Sequence, residues 1–385
     1  MSAFAFDPVV LPAAAVALRA DVRAFLRDER VDAIPAARRA NSWSVFDATF
    51  TRKLARRGWI GMTWPKRYGG AERSALERYV LLEELLAAGA PVGAHWIADR
   101  QSGPALLRYG SEMQRERYLP AIADGECFFC IGMSEPNAGS DLASVRTRGV
   151  KAADGWRITG QKVWTTHAQQ AQMMIALVRT ATVEGKRHEG LTQFLVDMKT
   201  PGITVRPIPD LAGEVHFNEV FLDDVYVPHD MLLGQEGQGW RQCTSELSLE
   251  RSGPERYLSS HVLFVELLRA AAAAPDSSDT TRQAIGRMAA EIWTLRQMSL
   301  SVAGQLAAGR DPAVEAAVVK DLGNSFEQEL PRRVQAVADS SLALEDDTPL
   351  ARALALLLQT SPSFSLRGGT REILRGIIAR GLGLR

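Results

Sequence analysis

The feature that most constrains this fold is the order of sequence patterns along the chain, which change from helical to β-rich and back to helical. Residues 13–125 carry apolar side chains at helical spacing. From residue 126, short β-rich runs alternate with Gly, Asn, Asp and Pro turns, as in an antiparallel barrel or sandwich. Helical texture returns after residue 235 and continues to the end. This order predicts an α+β fold with domains at 1–125, 126–235 and 236–385, and junctions between domains favour ligand sites.

Local signals predict several helix boundaries. Apolar residues near a 3.6-residue period indicate helices over residues 13–30 and 74–88, with Gly89 as the C-terminal cap of the second. Residues 270–279 pass from Ala to Pro, Asp and Ser and predict an interhelical loop. The last helix is predicted over residues 370–380.

The charge balance excludes two classes of function that depend on bulk charge. The 385 residues contain 45 Lys and Arg against 45 Asp and Glu. A neutral chain has no global field to attract nucleic acid or an anionic membrane, so neither partner is expected. A local basic site remains open, because a few arginines and oriented amides suffice for a phosphorylated ligand.

The cysteines and histidines predict little chemistry of their own. Three cysteines cannot form a disulfide framework, which favours a reducing compartment and a cytoplasmic location. Cys127 and Cys130 have redox-motif spacing but lie in an apolar run, so buried thiols are favoured over redox or metal chemistry. The six histidines are scattered, and no metal site is predicted. No secretory signal or apolar run of membrane-spanning length is apparent.

Two β-rich segments carry ligand-binding groups. In residues 130–141, a predicted strand enters a Pro/Asn/Gly turn that brings backbone amides near the hydroxyls of Ser134 and Ser140. In residues 158–167, Trp164 and Thr166 are two apart on a predicted strand, so an aromatic plane and a hydroxyl would share one face. The simpler alternatives are a polar turn, and a core Trp beside a surface Thr.

A third segment, residues 249–256, has two Glu-Arg pairs that flank Gly253 and Pro254. Pro254 has no N–H to donate to the carbonyl of Glu250, so a helix should kink or loosen there. The carboxylate of Glu250 could then point into a domain junction. The alternative is a solvated face of paired charges.

Together these segments resemble the acyl-CoA dehydrogenase family, over nearly the whole chain. The matching motifs, in chain order, are Trp64-Pro-Lys-Arg-Tyr-Gly-Gly70, Tyr109-Gly-Ser-Glu-Met-Gln114, Met133-Ser-Glu-Pro-Asn-Ala-Gly-Ser-Asp141, Gly160-Gln-Lys-Val-Trp-Thr-Thr166, Phe217-Asn-Glu-Val-Phe-Leu-Asp-Asp-Val-Tyr-Val-Pro228 and Gly368-Gly-Thr-Arg-Glu-Ile-Leu-Arg375. The resemblance implies an N-terminal helical domain, a middle antiparallel β-barrel domain and a C-terminal four-helix bundle, with FAD between the β domain and the bundle.

The resemblance also implies the roles of individual cofactor-binding residues. Trp164 would cover the flavin ring and Thr166 would hydrogen-bond near its reactive nitrogen. The remaining positions implied are Ile131, Met133 and Ser134 at the ring, Gly139 and Ser140 at the flavin phosphate, with Ser140 also at the acyl-CoA, and Thr370 and Glu372 near the FAD backbone.

The implied reaction removes an α-proton with a carboxylate and transfers a β-hydride to the flavin, which gives a 2-enoyl-CoA. Many family members carry the glutamate base immediately before the C-terminal Gly-Thr, where this chain has Gly368. Others place it on a bundle helix directly before an arginine, which matches Glu250 and Arg251. We therefore expect Glu250 to be the base, Arg251 to lie near the CoA, and the Gly368 N–H to bind the thioester carbonyl.

Two departures from the family pattern concern the assembly. The Arg-x-x-Phe-Gly segment expected just before Gln283 and the Gln-x-x-Gly-Gly segment expected from Gln335 are both missing. Family members use them to reach FAD across a subunit interface, so either a homo-oligomer (dimer or tetramer) or a mixed oligomer with a second, similar subunit is expected. Electron-transfer flavoprotein is the expected electron acceptor. Alternative functions are a flavin oxidase or monooxygenase, and a non-catalytic subunit of a mixed assembly.

Overall fold

The structure is a computed structural model that describes residues 4–249, 252–274, 278–338 and 347–384. The chain divides into two compact units. The first, here called the helical unit, consists of Met1–Val45, Arg73–Val92 and Ser248–Arg385. The second, here called the sheet unit, consists of Phe46–Glu72 and Gly93–Leu247.

The described residues form thirteen α-helices, which in chain order are α1 Ala13–Asp28, α2 Ala36–Ala40, α3 Ala48–Ala55, α4 Ala75–Ala88, α5 Gly93–Ile97, α6 Gly103–Tyr109, α7 Glu112–Ala123, α8 Gly239–Leu249, α9 His261–Ala273, α10 Asp279–Ala307, α11 Ala313–Val337, α12 Pro349–Thr360 and α13 Arg371–Gly381. They also form eight strands, which are β1 Phe129–Gly132, β2 Arg148–Lys151, β3 Gly155–Lys162, β4 Met173–Arg179, β5 Leu191–Asp197, β6 Ile203–Ile208, β7 Phe217–Pro228 and β8 Leu232–Leu233. Within this part of the chain, every helix is too short or too polar to cross a membrane.

In the helical unit, α4 shows why its sequence begins and ends a helix where it does. The Ser74 hydroxyl accepts from the backbone N–H of Glu77, and the Glu77 carboxylate accepts from the backbone N–H of Ser74. This reciprocal pair satisfies two N–H groups that the first turn leaves without helical partners. At the other end Gly89 adopts a left-handed φ of +73°, as predicted for the cap. The helix packs against α1, and α9 to α12 pack together in the same unit.

The sheet unit contains one eight-stranded sheet in the order β6-β7-β3-β2-β4-β5-β8, with β1 paired to β4. Most neighbours are antiparallel, as predicted, but β1 and β2 each pair with β4 in parallel. Alternation of side chains along a strand does not distinguish the two directions, so the sequence could not predict these pairs. The strands bury one apolar cluster that includes Trp156, Ile158, Phe194 and Val225.

The predicted α+β fold, with helical segments before and after a sheet, is confirmed. One local prediction is wrong in part, since residues 270–279 do not all form a loop. Helix α9 continues through Ala273, because its run of alanines has high helix propensity. A second helix begins at Asp279, and the hydroxyl of Ser278 accepts from the N–H of Thr281 as its N-terminal cap.

Candidate active site

The predicted base and its neighbour, Glu250 and Arg251, lie outside the described residues. Helix α8 ends at Leu249, and Pro254 opens a short 3₁₀ turn, Pro254–Arg256. This interruption agrees with the expectation that Pro254 cannot continue the helix.

In the sheet unit, the predicted flavin-ring residues lie at the end of β1. Ile131 belongs to the strand and pairs with Ile175 of β4. Met133 and Ser134 follow it and are half-buried. Gly139 and Ser140 lie farther on in an exposed turn, and a Cβ added at Gly139 would meet no atom within 4 Å. The segment therefore runs from the sheet to the surface.

The prediction that Trp164 and Thr166 share a face of a strand is wrong. Strand β3 ends at Lys162, and Trp164 adopts a left-handed φ of +60° in the segment that follows. The left-handed backbone at Trp164 breaks the extended alternation, so the period-two rule does not apply to this segment. The Trp164 side chain is 57% exposed and meets Phe217 edge to face, whereas Thr166 is half-buried.

The backbone around Trp164 is held firmly although its side chain faces solvent. The N–H of Val163 donates to the carbonyl of Ser134, and the N–H of Thr165 donates to the carbonyl of Asn218, each at 3.0 Å. A left-handed backbone at a residue other than glycine costs on the order of 1–3 kcal/mol, and such residues cluster at ligand sites. The arrangement fits a planar aromatic group such as a flavin ring stacked on Trp164.

Lys162 places a fully buried ammonium group next to this segment. Its Nζ donates to a carboxylate oxygen of Glu135 at 2.8 Å, to the Leu177 carbonyl at 2.6 Å and to the Met133 carbonyl at 3.3 Å. These acceptors match the three donors of the group. Burial lowers the pKa of Lys162 to about 8, although the Glu135 carboxylate opposes the shift.

Glu135 in turn fixes the turn that leads to Ser140. Its two carboxylate oxygens accept from the backbone N–H groups of Arg146 at 2.7 Å and Thr147 at 2.8 Å. Its own backbone exchanges hydrogen bonds with Ala138. The pKa of Glu135 lies below its usual value because Lys162 and these N–H donors outweigh the effect of burial.

In the helical unit, Gly368 and Gly369 form a tight turn before α13. Gly368 has a φ of +68°, and a Cβ placed there would lie 3.1 Å from Nη2 of Arg256 and 3.3 Å from Cε of Lys320. The Lys320 ammonium donates to the Gly369 carbonyl. The position that carries a glutamate in many family members therefore faces two buried cations in this chain.

The other two predicted residues of this segment lie at the start of α13. Thr370 is the N-cap residue and Glu372 lies exposed in the first turn. The backbone N–H of Glu372 and the Thr370 hydroxyl both hold the pKa of the Glu372 carboxyl below its usual value. Acidic groups are favoured at this end of a helix.

A buried charge cluster surrounds the same turn. The Arg367 guanidinium donates to Glu327 at 3.1 Å and to the Ser259 hydroxyl at 2.7 Å, and it stacks against Trp43 and Phe364. Burial lowers the pKa of Arg367 to about 10. Burial also raises the pKa of Glu327, and Arg367 opposes that shift. The interior beneath the turn is thus charged and hydrogen-bonded, not apolar.

Sequence reasoning missed the buried charges at Glu135, Lys162, Lys320 and Glu327, and the half-buried Arg367 that pairs with Glu327. One of them had a signal, because Trp156 and Ile158 point inward on β3 and the period of two also turns Lys162 inward. Lys320 follows two valines on α11, and Glu327 lies between a phenylalanine and a glutamine, and charged residues at such positions are usually exposed. Their partners are distant in sequence and follow from the fold alone.

Comparison with known proteins identifies the family. Models of the acyl-CoA dehydrogenase N-terminal, middle and C-terminal domains match residues 13–126, 130–225 and 237–383. The acyl-CoA dehydrogenase IpdE1 of Mycolicibacterium smegmatis is 34% identical over 391 residues, which cover 95% of this chain and 97% of the relative. FadE34 of Mycobacterium tuberculosis is also 34% identical, but this chain spans only 45% of its length.

Solved structures give the same result. The Tcur3481-Tcur3483 steroid ACAD superposes with a TM-score of 0.87 at 28% identity and covers 97% of this chain and 98% of its own. The ChsE4-ChsE5 complex of Mycobacterium tuberculosis gives a TM-score of 0.85 at 27% identity, with 98% of this chain and all of the other covered.

The chain therefore belongs to the acyl-CoA dehydrogenase family, and the resemblance found in its motifs is confirmed. It is an oxidoreductase that acts on acyl-CoA, and members of this family are FAD flavoproteins. The exposed, rigidly held Trp164 fits that cofactor.

Proposed function

We propose that this chain dehydrogenates an acyl-CoA thioester to the 2-enoyl-CoA, with Glu250 as the base that removes the α-proton. FAD, when bound, supplies the acceptor for the β-hydride. The observation that carries the base assignment is the surroundings of Gly368. That position has no side chain, and Arg256 and Lys320 lie within 3.1 and 3.3 Å of where a Cβ would be. A carboxylate there would pair with cations and lose basicity, which supports a base elsewhere.

The residues of the chain bind and orient the reactants in this proposal. Trp164 stacks on the flavin ring, and Thr166, Ile131, Met133 and Ser134 bind its polar edge. Gly139, Ser140, Thr370 and Glu372 bind the rest of the cofactor. The Gly368 N–H donates to the thioester carbonyl and stabilises the negative charge that develops there, while Arg251 and Ser140 bind the CoA.

Replacement of one carboxylate tests the base. Glu250→Gln should retain FAD and still bind acyl-CoA, but flavin reduction should fall at least about a hundredfold, because general-base catalysis contributes roughly 10²–10⁴ and the amide cannot accept the proton. Glu116→Gln is the matched control, since Glu116 is exposed on α7. Anaerobic stopped-flow bleaching of the flavin measures both. Reduction by Glu250→Gln at the rate of Glu116→Gln would place the base elsewhere.

The acyl group is best found with a panel of thioesters. Relatives are named for isovaleryl-CoA and (2S)-methylsuccinyl-CoA, and a structural neighbour is named a steroid ACAD. These three classes, with straight-chain acyl-CoAs, define the panel. The thioester with the largest reduction rate divided by its dissociation constant identifies the substrate class.

The assembly remains the second part of the proposal. The missing Arg-x-x-Phe-Gly and Gln-x-x-Gly-Gly segments support a mixed oligomer, and one structural neighbour is named a ChsE4-ChsE5 complex. In that arrangement the chain is one catalytic or non-catalytic half of the enzyme. Expression of the chain alone tests this, because a homo-oligomer would be purified with FAD and activity, whereas a mixed assembly would need a second subunit. Electron-transfer flavoprotein stays the proposed acceptor, and a cytoplasmic location stays a prediction.

A further inference from the structure

The buried pair of Lys162 and Glu135 has no evident packing purpose. The Lys162 side chain is fully buried and that of Glu135 is 8% exposed. The inward neighbours of Lys162 on β3 are the apolar Trp156 and Ile158. An apolar side chain would suit that face of the sheet, and a buried ion pair is weak evidence for added stability. The role of the pair is therefore to be sought in the backbone groups that the two side chains bind.

The pair holds the backbone that follows β1. Lys162 joins the Met133 carbonyl to the Leu177 carbonyl of β4, so the segment after β1 is fixed to the sheet. Glu135 joins the same segment to the backbone of Arg146 and Thr147. The Ser134 carbonyl is bound in turn by Val163, the residue next to Lys162.

The orientation of one peptide group follows from these bonds. A trans peptide unit directs its C=O and its N–H to opposite sides. The Met133 carbonyl points inward to the Lys162 ammonium, so the N–H of Ser134, in the same peptide unit, points away from it. Rotation of that peptide would deprive the buried ammonium of one of its three acceptors. The amide is thus fixed in its direction before any ligand binds.

We propose that Lys162 is a positioning residue of the flavin site, which fixes the Met133–Ser134 peptide so that the Ser134 N–H is presented to the cofactor. The inference rests on the proposed cofactor role of Met133 and Ser134. It extends that role to a buried side chain that does not itself touch the flavin. Preorganised donors bind more tightly because no reorientation is needed on binding.

The test compares variants of the purified, FAD-loaded protein. Lys162→Met retains the length of the side chain and removes its donors. Because it leaves Glu135 buried without its cation, the double variant Lys162→Met with Glu135→Gln is measured as well. Glu135→Gln alone keeps the bond from Lys162 to Met133. Arg39→Met with Glu266→Gln removes a comparably buried pair, 2.9 Å apart, in the helical unit.

Three properties are measured. They are the FAD dissociation rate, monitored by the rise in flavin fluorescence on release, the visible absorption spectrum of the bound flavin, and the melting temperature. Both Lys162 variants should release FAD at least ten times faster than the parent, with a shifted spectrum. Glu135→Gln alone, which keeps the bond from Lys162 to Met133, should release FAD more slowly than either Lys162 variant. The Arg39 control should release it at the parental rate, even where its melting temperature falls. Failure of both Lys162 variants to retain any FAD while the Arg39 control retains it also supports the inference.

Three results would overturn the inference. They are parental FAD release by a folded Lys162 variant, equal acceleration in the Arg39 control, and absence of FAD from the parent protein in every assembly. A parent that holds FAD but is reduced by no acyl-CoA would refute the proposed reaction instead, and the dissociation rates would still decide the role of Lys162.

Discussion

Restoring a glutamate at position 368 should not restore a base. In the Glu250→Gln background, Gly368→Glu introduces a carboxylate where many family members carry one. Its Cβ would lie 3.1 Å from Nη2 of Arg256 and 3.3 Å from Cε of Lys320. A cation within about 4–6 Å lowers the pKa of a carboxyl group by about 1–3 units. Each unit is about 1.4 kcal/mol, so roughly 1.4–4 kcal/mol of driving force for proton removal is lost.

The backbone adds a cost that a control variant separates. Gly368 has a φ of +68°, where a side chain costs about 1–2 kcal/mol. Gly368→Ala carries this cost without the new charge, so its free energy of unfolding should fall by about that amount. Gly368→Glu should lose less stability than Gly368→Ala, because its carboxylate pairs with the two buried cations.

Two assays measure these effects. Urea unfolding of the FAD-loaded proteins compares the two substitutions, and anaerobic flavin bleaching by acyl-CoA compares Gly368→Glu/Glu250→Gln with the parent. We expect bleaching to stay at least tenfold slower than in the parent. Bleaching within threefold of the parental rate, or a Gly368→Glu protein less stable than Gly368→Ala, would refute the reasoning.

Three further predictions concern stability. Burial lowers the pKa of His261 to about 4. Between pH 4 and 6.5 the folded state therefore binds fewer protons than the unfolded state. The free energy of unfolding should fall by up to about 3 kcal/mol as the pH drops through that window. In the His261→Gln variant, the free energy of unfolding in urea should depend less on pH over this window. A pH dependence equal to that of the parent would contradict this. Gly103→Ala should lower the free energy of unfolding by about 1–3 kcal/mol, because its Cβ would lie 2.1 Å from the Trp64 ring; parental stability in urea would contradict this. Gly286 is exposed inside α10, and a Cβ there would meet no atom within 4 Å. Gly286→Ala should therefore raise the free energy of unfolding by about 1 kcal/mol and with it the melting temperature, and a lowered melting temperature would contradict this.

Local patterns were sufficient for the regular elements. The short β-rich runs and turn residues predicted a β domain over residues 126–235, and all eight strands of the described residues lie between Phe129 and Leu233. Ser74 and Gly89 marked both ends of α4. These features depend on interactions between residues that are close in sequence, so the sequence carries them directly.

The site depends on contacts that local patterns do not contain. Trp164 leaves the strand because the backbone turns left-handed after Lys162, and no glycine marks that turn. Glu135 and Lys162 are 27 residues apart, and their pairing follows from the sheet. The motifs predict which residues bind the cofactor, whereas the fold alone shows that Gly368 lies against Arg256 and Lys320.

Anaerobic titration of the FAD-loaded protein with the acyl-CoA panel tests the central claim most directly. For at least one thioester, we expect the flavin to bleach in proportion to the 2-enoyl-CoA formed, as measured by mass spectrometry. In the Glu250→Gln variant, we expect neither flavin bleaching nor formation of the enoyl product. The claim would be contradicted if FAD-loaded protein, alone or with a second subunit, were reduced by no thioester. It would also be contradicted if Glu250→Gln formed the enoyl product at the parental rate.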